Sequence, residues 1–166
     1  MTNITIYLDL LLLFSLNTTS TDFNLVMPNN EKIQEQLLES DYQEEAIYYY
    51  LINNFKTVSE IYATQFFEWD TNTLCTYTQD FENSIQYSIY ECGESGSNLK
   101  VTFPKMQKEN LMKWVEKIHA VYEMEENSNV WKEKNTRYEP EFLEPGCYYE
   151  ILETENSMSV QIYCGC

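Results

Sequence analysis

The sequence predicts an α+β fold in which an antiparallel sheet of four to five strands, built from two hairpins, packs against helices on one face. Apolar residues recur every three or four positions in two long stretches, as they do on the buried face of a helix. Between and after these stretches, apolar and polar residues alternate, as in half-buried strands. Four glycines and four prolines leave little material for linkers, so residues 22–166 are predicted to form one domain.

The first helical stretch covers residues 30–70. Ser40, followed three residues later by Gln43, matches a capping box at the start of a helix. The pair Asn53-Asn54 marks a point where the stretch can divide into two helices. Its predicted buried stripe consists of Ile47, Leu51, Phe55, Val58, Tyr62 and Phe66.

The second helical stretch begins after Pro104 and covers residues 105–126, since proline suits the first turn of a helix. Its apolar stripe consists of Leu111, Trp114, Val115, Ile118 and Tyr122. Residues 127–146, with many charges and two prolines, are predicted to form a long charged loop.

Five short segments read as strands. In the first hairpin, LCTYTQ and SIQYSIYEC flank a polar DFEN turn, and in the second, CYYEIL and SVQIYC flank ETENSM. LKVTF, residues 99–103, is the fifth strand. ENSIQYSIY (82–90) resembles ENSMSVQIY (155–163), so duplication of a helix–hairpin unit is a further hypothesis.

Four of the five cysteines lie at the open ends of the predicted hairpins. Cys75 and Cys92 are 17 residues apart, as are Cys147 and Cys164. Closing each hairpin about its turn brings the paired cysteines opposite one another, which predicts two disulfides if the α-carbons come within about 7 Å. The alternative is five reduced thiols packed as small apolar side chains in a cytosolic protein.

Residues 1–21 are interpreted as a signal peptide. The apolar run from Ile4 to Leu16 is too short to span a bilayer but suits the core of a signal sequence. Asp9 within it, and the lack of Lys or Arg before it, favour the alternative of a buried strand or helix. A signal peptide and disulfides together predict a secreted or periplasmic protein, with a cytoplasmic location as the alternative.

The charge of the chain limits its partners. It carries 27 acidic and ten basic residues, a formal net charge of −17. Nucleic acids and anionic membranes require clustered Lys and Arg, so both are excluded as partners, and a basic protein is the expected one. The alternative is an acidic surface that serves solubility alone. Residues 1–70 contain eleven of the acids and two lysines, which predicts a negative face there.

The sequence contains no P-loop, GxGxxG, GxSxG or HExxH motif and no paired cysteines with the spacing of a zinc site, so neither a cofactor nor a metal is expected. The one histidine, His119, falls between Glu116 and Glu123 on the second helix, which predicts a solvated, stabilised imidazolium. A thiol-dependent enzyme pairing a cysteine with His119 is an alternative.

These observations favour a non-enzymatic acidic binding protein, such as an inhibitor or immunity-type partner of a basic protein. Tyrosines are frequent at binding hot spots, and one of the three consecutive tyrosines at 48–50 must face outward on a helix. The predicted contact surface is Glu44, Glu45, Tyr48 and Tyr49. The alternatives are an exported protein stapled by disulfides, with an unspecified role, and the thiol-dependent enzyme.

Overall fold

Eight strands form one antiparallel sheet, and helices pack against it. The computed structural model describes residues 23–39, 46–64, 76–90, 97–122, 128–142 and 144–165. The helices in these ranges are α1 (Asn30–Glu39), α2 (Ala46–Asn54) and α3 (Lys108–His119), with short 3₁₀ turns at Glu82–Ser84 and Ala120–Tyr122. The strands are β1 (Tyr62–Thr64), β2 (Thr76–Phe81), β3 (Ile85–Tyr90), β4 (Ser97–Pro104), β5 (Asn129–Lys132), β6 (Arg137–Pro140), β7 (Gly146–Glu153) and β8 (Ser157–Gly165).

The sheet consists of two four-stranded meanders joined at their last strands. Its order is β1-β2-β3-β4-β8-β7-β6-β5, and every pairing is antiparallel. The junction between β4 and β8 runs from Ser97 opposite Cys164 to Pro104 opposite Ser157. In each half of the sheet the chain therefore runs from the edge strand inward, and the last strand of each half lies at the centre.

The predicted sheet of four to five strands is wrong, because the sheet has eight. The five predicted strands correspond to β2, β3, β4, β7 and β8. The additional strand β1 lies in the stretch predicted to be helical, and β5 and β6 lie in the predicted charged loop.

Backbone hydrogen bonds to the sheet end the helical stretch early. The side-chain amide of Asn54 donates to the carbonyl of Tyr50 at the last turn of α2. The Val58 N–H then donates to the Asp80 carbonyl at 2.9 Å, and the Glu82 N–H donates to the Lys56 carbonyl at 2.8 Å. Val58, on the predicted buried stripe, is 62% exposed as a result. Tertiary pairing thus overrides the helical periodicity of this segment.

A left-handed turn makes strands possible in the predicted loop. Glu133, Lys134 and Asn135 have φ angles of 49°, 57° and 63°, which reverses the chain between β5 and β6. The Thr136 hydroxyl donates to the Glu133 carbonyl at 2.7 Å and helps to fix this turn. Local composition did not reveal the turn, because only the asparagine is a residue that favours such angles.

The hydrophobic core lies between the helices and one face of the sheet. In α3 the predicted stripe is confirmed for its first four residues, Leu111, Trp114, Val115 and Ile118, which are all buried. The ring of Trp114 packs edge-on against Phe103 of β4 and Tyr50 of α2, with centroids 5.3 and 5.4 Å apart. The central strands contribute every second residue to this core, including Val101, Phe103, Val160, Ile162, Tyr149 and Ile151.

The two similar sequence segments do not occupy equivalent strands. They coincide with β3 and β8, with the polar residues that precede each strand. The order of the sheet is symmetric about the β4–β8 pair, and in that symmetry β3 corresponds to β7. The architecture therefore repeats a helix followed by a four-stranded meander, in a different phase from the sequence match.

None of the described helices is both long and apolar enough to cross a lipid bilayer.

Candidate functional site

The sheet face opposite the helices is polar along a row that crosses all eight strands. Each residue of the row stands directly opposite the next on the neighbouring strand, so their side chains share one face. In sheet order the row is Tyr62, Thr78, Ser88, Lys100, Gln161, Glu150, Arg137 and Lys132. We call this side of the sheet the open face, although Thr78 and Ser88 toward its β1 end are buried.

A groove of about 550 Å³ lies at the β6–β7–β8 end of the open face. Tyr148 and Tyr163 stand opposite each other in its lining, with ring centroids 6.5 Å apart and planes tilted by 46°. The Tyr148 hydroxyl donates to the backbone carbonyl of Glu144 at 3.0 Å, which fixes the ring. The groove is lined by Arg137, Glu144, Pro145, Tyr148, Tyr149, Glu150, Gln161, Tyr163 and Gly165.

Glu150 and Gln161 form the next pair on the same face as the two tyrosines. Opposite residues have β-carbons about 5 Å apart, and alternate residues of one strand are about 7 Å apart. The four side chains therefore stand at the corners of a small rectangle, with aromatic rings at one end and hydrogen-bonding groups at the other.

Arg137, at the rim of the groove, is neutralised by its own neighbours. Its guanidinium donates to Glu133 at 3.0 Å and pairs with Glu139 at 2.9 Å, while Lys132 pairs with the other oxygen of Glu139 at 3.0 Å. The hydrogen bond that Arg137 donates to Glu133, together with the nearby carboxylates of Glu139 and Glu150, raises the pKa of Arg137. The charge of Arg137 is thus largely balanced.

The carboxylates of Glu144 and Glu150 form no ion pair with any side chain that the structure describes. Both residues are exposed at the groove. Two negative charges and two phenol rings, of which that of Tyr148 is held by its hydrogen bond, are therefore available to a molecule that enters the groove.

No protein-family model, curated protein or solved structure matches this chain. The geometry of the site and the charge of the chain are therefore the indications of its function.

A disulfide joins the two strands that carry the groove tyrosines. Cys147 and Cys164 are bonded across β7 and β8, with α-carbons 4.1 Å apart. They are one residue along from Tyr148 and Tyr163 and so project to the opposite face of the sheet. Of the other cysteines predicted to form a disulfide, Cys75 and Cys92 lie outside the described residues.

The predicted contact surface lies elsewhere. Tyr48 and Tyr49 are half-buried on α2 and pack against the core. The Tyr48 ring lies 5.6 Å from that of Tyr87, and it lines a second hollow of about 360 Å³ on the helix side of the sheet. Glu44 and Glu45 are outside the described residues. The structure therefore does not bring Tyr48 or Tyr49 into the groove on the open face.

The prediction of a solvated, stabilised imidazolium at His119 is wrong. His119 is half-buried, with its ring 5.5 Å from that of Tyr138 and 5.7 Å from that of Tyr149, and burial lowers its pKa. Glu116, a predicted partner, accepts a hydrogen bond from the Trp131 indole at 2.7 Å instead. Glu123 lies outside the described residues.

The thiols of Cys147 and Cys164 are joined to each other, so neither is a free nucleophile for His119. Cys75, Cys92 and Cys166 lie outside the described residues. In the part of the chain that is described, no three His, Cys, Asp or Glu side chains are grouped to hold a metal ion.

The spacing of two cysteines in the sequence predicts part of the groove. Placing Cys147 opposite Cys164 sets the register of the second hairpin, and this register puts Tyr148 opposite Tyr163 and Glu150 opposite Gln161. The contribution of β6, with Arg137 and its ion pairs, had no such signal.

Proposed function

We propose that this protein is a non-enzymatic binding protein, an inhibitor or immunity-type partner of a basic protein, which it contacts through the groove on the open face. The observation that carries the proposal is the pair of tyrosines, with Tyr148 held by a hydrogen bond, beside the unpaired carboxylates of Glu144 and Glu150. Rigid aromatic rings lose little conformational entropy on binding and are frequent among residues that dominate binding energy.

The net charge of the chain supports a basic partner over a neutral one. With 27 acidic and ten basic residues, the molecule attracts cationic proteins at long range and speeds their encounter. The two unpaired carboxylates of the groove then supply local complementarity, since Arg137 is already neutralised.

A capture experiment with two matched double variants tests the proposal. The wild-type protein, E144Q/E150Q and E31Q/E35Q are immobilised, and bound proteins from the native source are identified by mass spectrometry. The control pair removes the same charge from exposed positions of α1, away from the groove. We expect one basic protein to be retained by the wild type and the control and lost from the groove variant.

Retention of the same proteins by all three forms would show that the groove is not the contact surface. Retention of no basic protein by the wild type would reject the proposed function.

We further propose that the protein is exported and folds in an oxidising compartment, in keeping with a secreted or periplasmic location. The disulfide between Cys147 and Cys164 supports this, since such bonds persist mainly outside the reducing cytosol. Alkylation of the native protein before and after reduction, followed by intact-mass measurement, counts the bonded cysteines. Sequencing the N-terminus of the mature protein tests removal of residues 1–21. Full alkylation without reductant, or an intact N-terminus, would contradict export.

A further inference from the structure

We propose that the groove on the open face accepts an arginine side chain of the partner and selects it over lysine. This inference rests on the proposed function and specifies the chemistry of the partner. It follows from the rectangle formed by Tyr148, Tyr163, Gln161 and Glu150.

The arrangement of polar groups suits a planar cation. A guanidinium presents five donors in a rigid fork, whereas a lysine ammonium is a compact point charge. Glu150 offers two carboxylate oxygens and Gln161 an amide oxygen, side by side on neighbouring strands. A guanidinium can donate to both residues at once, because opposite residues have β-carbons only about 5 Å apart.

The aromatic end of the groove favours the same group. A guanidinium stacks on a tyrosine face through cation–π attraction, which contributes more when water is excluded. The rings of Tyr148 and Tyr163 are tilted by 46°, so the cation lies against one ring while the other borders it. Because the Tyr148 hydroxyl donates to the Glu144 carbonyl, the Tyr148 ring is already ordered before the cation binds.

Arg137 occupies the rim without filling this place. Its guanidinium is turned toward Glu133 and Glu139, on its own strand and the adjoining turn. Its positive charge would oppose an incoming arginine if it were unbalanced. Two carboxylates balance the charge of Arg137, and Glu144 and Glu150 add two further negative charges at the groove.

Binding of hexa-arginine and hexa-lysine peptides to the full chain tests the proposal. The two probes have equal charge, so any difference between them reports on the shape of the cation. We expect the arginine peptide to bind the wild type about tenfold more tightly. In Tyr163→Leu and Glu150→Gln the preference should fall to about twofold, because stacking or one side of the fork is lost.

Two controls keep the result interpretable. Tyr77→Leu removes a 40% exposed tyrosine from the opposite face, and Glu31→Gln removes a charge from α1. Both should keep the tenfold preference. Thermal unfolding of each variant within a few degrees of the wild type establishes that the fold is intact.

Equal affinity for the two peptides would overturn the arginine site, as would a preference that survives both groove substitutions. In that case the proposed function would still stand if E144Q/E150Q weakens the binding of both peptides. Failure of both peptides to bind the wild type at low salt would count against the proposed function itself.

Discussion

Glu139 is the side chain whose loss should destabilise the protein most directly at the rim of the groove. It is 8% exposed and pairs with both Lys132 and Arg137, at 3.0 and 2.9 Å. Replacing it with alanine leaves two cations side by side without their shared carboxylate. We expect Glu139→Ala to lower the free energy of unfolding, measured by urea denaturation, by about 2 kcal/mol, below the cost of breaking a fully buried pair because both cations are partly exposed.

Glu133→Ala is the matched control, since Glu133 also pairs with Arg137 but is 62% exposed. Its removal should cost less than about 0.5 kcal/mol, as for other surface ion pairs. Similar losses in the two variants would show that burial of Glu139 has no energetic weight.

His119 should make stability depend on pH. Burial lowers its pKa in the folded state below the value of 6.5 that it has in the unfolded chain. The unfolded state therefore takes up the proton first, and stability is complete above pH 6.5 and lost as the pH falls through the pKa of the folded state. We expect the free energy of unfolding to decrease as the pH falls below 6.5.

His119→Phe tests this effect, because it keeps a ring against Tyr138 and Tyr149 and removes the only histidine of the chain. It also removes the contact between His119 Nδ1 and the Tyr149 hydroxyl at 3.4 Å, so the comparison rests on the change with pH and not on the absolute difference. The difference in unfolding free energy between wild type and variant, measured at each pH, should change over this interval. A difference that stays constant would mean that His119 does not titrate differently in the two states.

Among the elements, the turn between β5 and β6 carries backbone strain that glycine would relieve. Lys134 has a φ of 57°, a conformation that is costly for a residue with a β-carbon. Its side chain is not a partner in any ion pair of the described residues, and its carbonyl, which accepts from Lys108, is kept by any substitution. Lys134→Gly should raise the free energy of unfolding by about 0.5 kcal/mol.

The same substitution in α3 should have the opposite sign. Lys113 is exposed within that helix, where glycine costs about 1 kcal/mol. Two chemical denaturation curves thus test whether the turn conformation, rather than the loss of a lysine, determines the effect. Destabilisation by both substitutions would contradict the assignment of strain to the turn.

The elements that sequence patterns predicted are those in which local and tertiary preferences agree. In α3 the apolar residues that recur with helical spacing are all buried, because this helix packs against the core along one face. They are Leu111, Trp114, Val115 and Ile118. Val58 and Tyr62 have the same spacing, yet hydrogen bonds to β2 hold this segment at the sheet. No pattern within residues 46–64 encodes that pairing, because its partners lie outside this stretch, on β2.

The groove likewise has one part that the sequence predicts and one part that it does not. Alternation and the spacing of the cysteines suffice to place Tyr148, Glu150, Gln161 and Tyr163 on one face of a hairpin. The part of the groove that β6 contributes, with Arg137, depends on the left-handed turn at Glu133 and on ion pairs between neighbouring strands. Sequence spacing shows neither of these.

For the molecule as a whole, the charge of −17 should make association with a basic partner strongly dependent on salt. Raising the ionic strength from about 20 mM to about 300 mM shortens the screening length several-fold. We expect the association rate constant for the captured partner, measured by stopped-flow, to fall by about tenfold or more. The dissociation rate should change less, since it reflects short-range contacts in the groove. An association rate insensitive to salt would mean that the acidic surface does not steer the encounter.

The junction between β4 and β8 has a consequence for how the polypeptide acquires its structure during synthesis. β4 is translated before α3, but its second neighbour begins only at Ser157. Until then one edge of β4, a strand that contains Leu99, Val101 and Phe103, lacks its β8 partner, and such an edge invites intermolecular β-pairing. A chain that ends between these two strands would therefore be prone to aggregation.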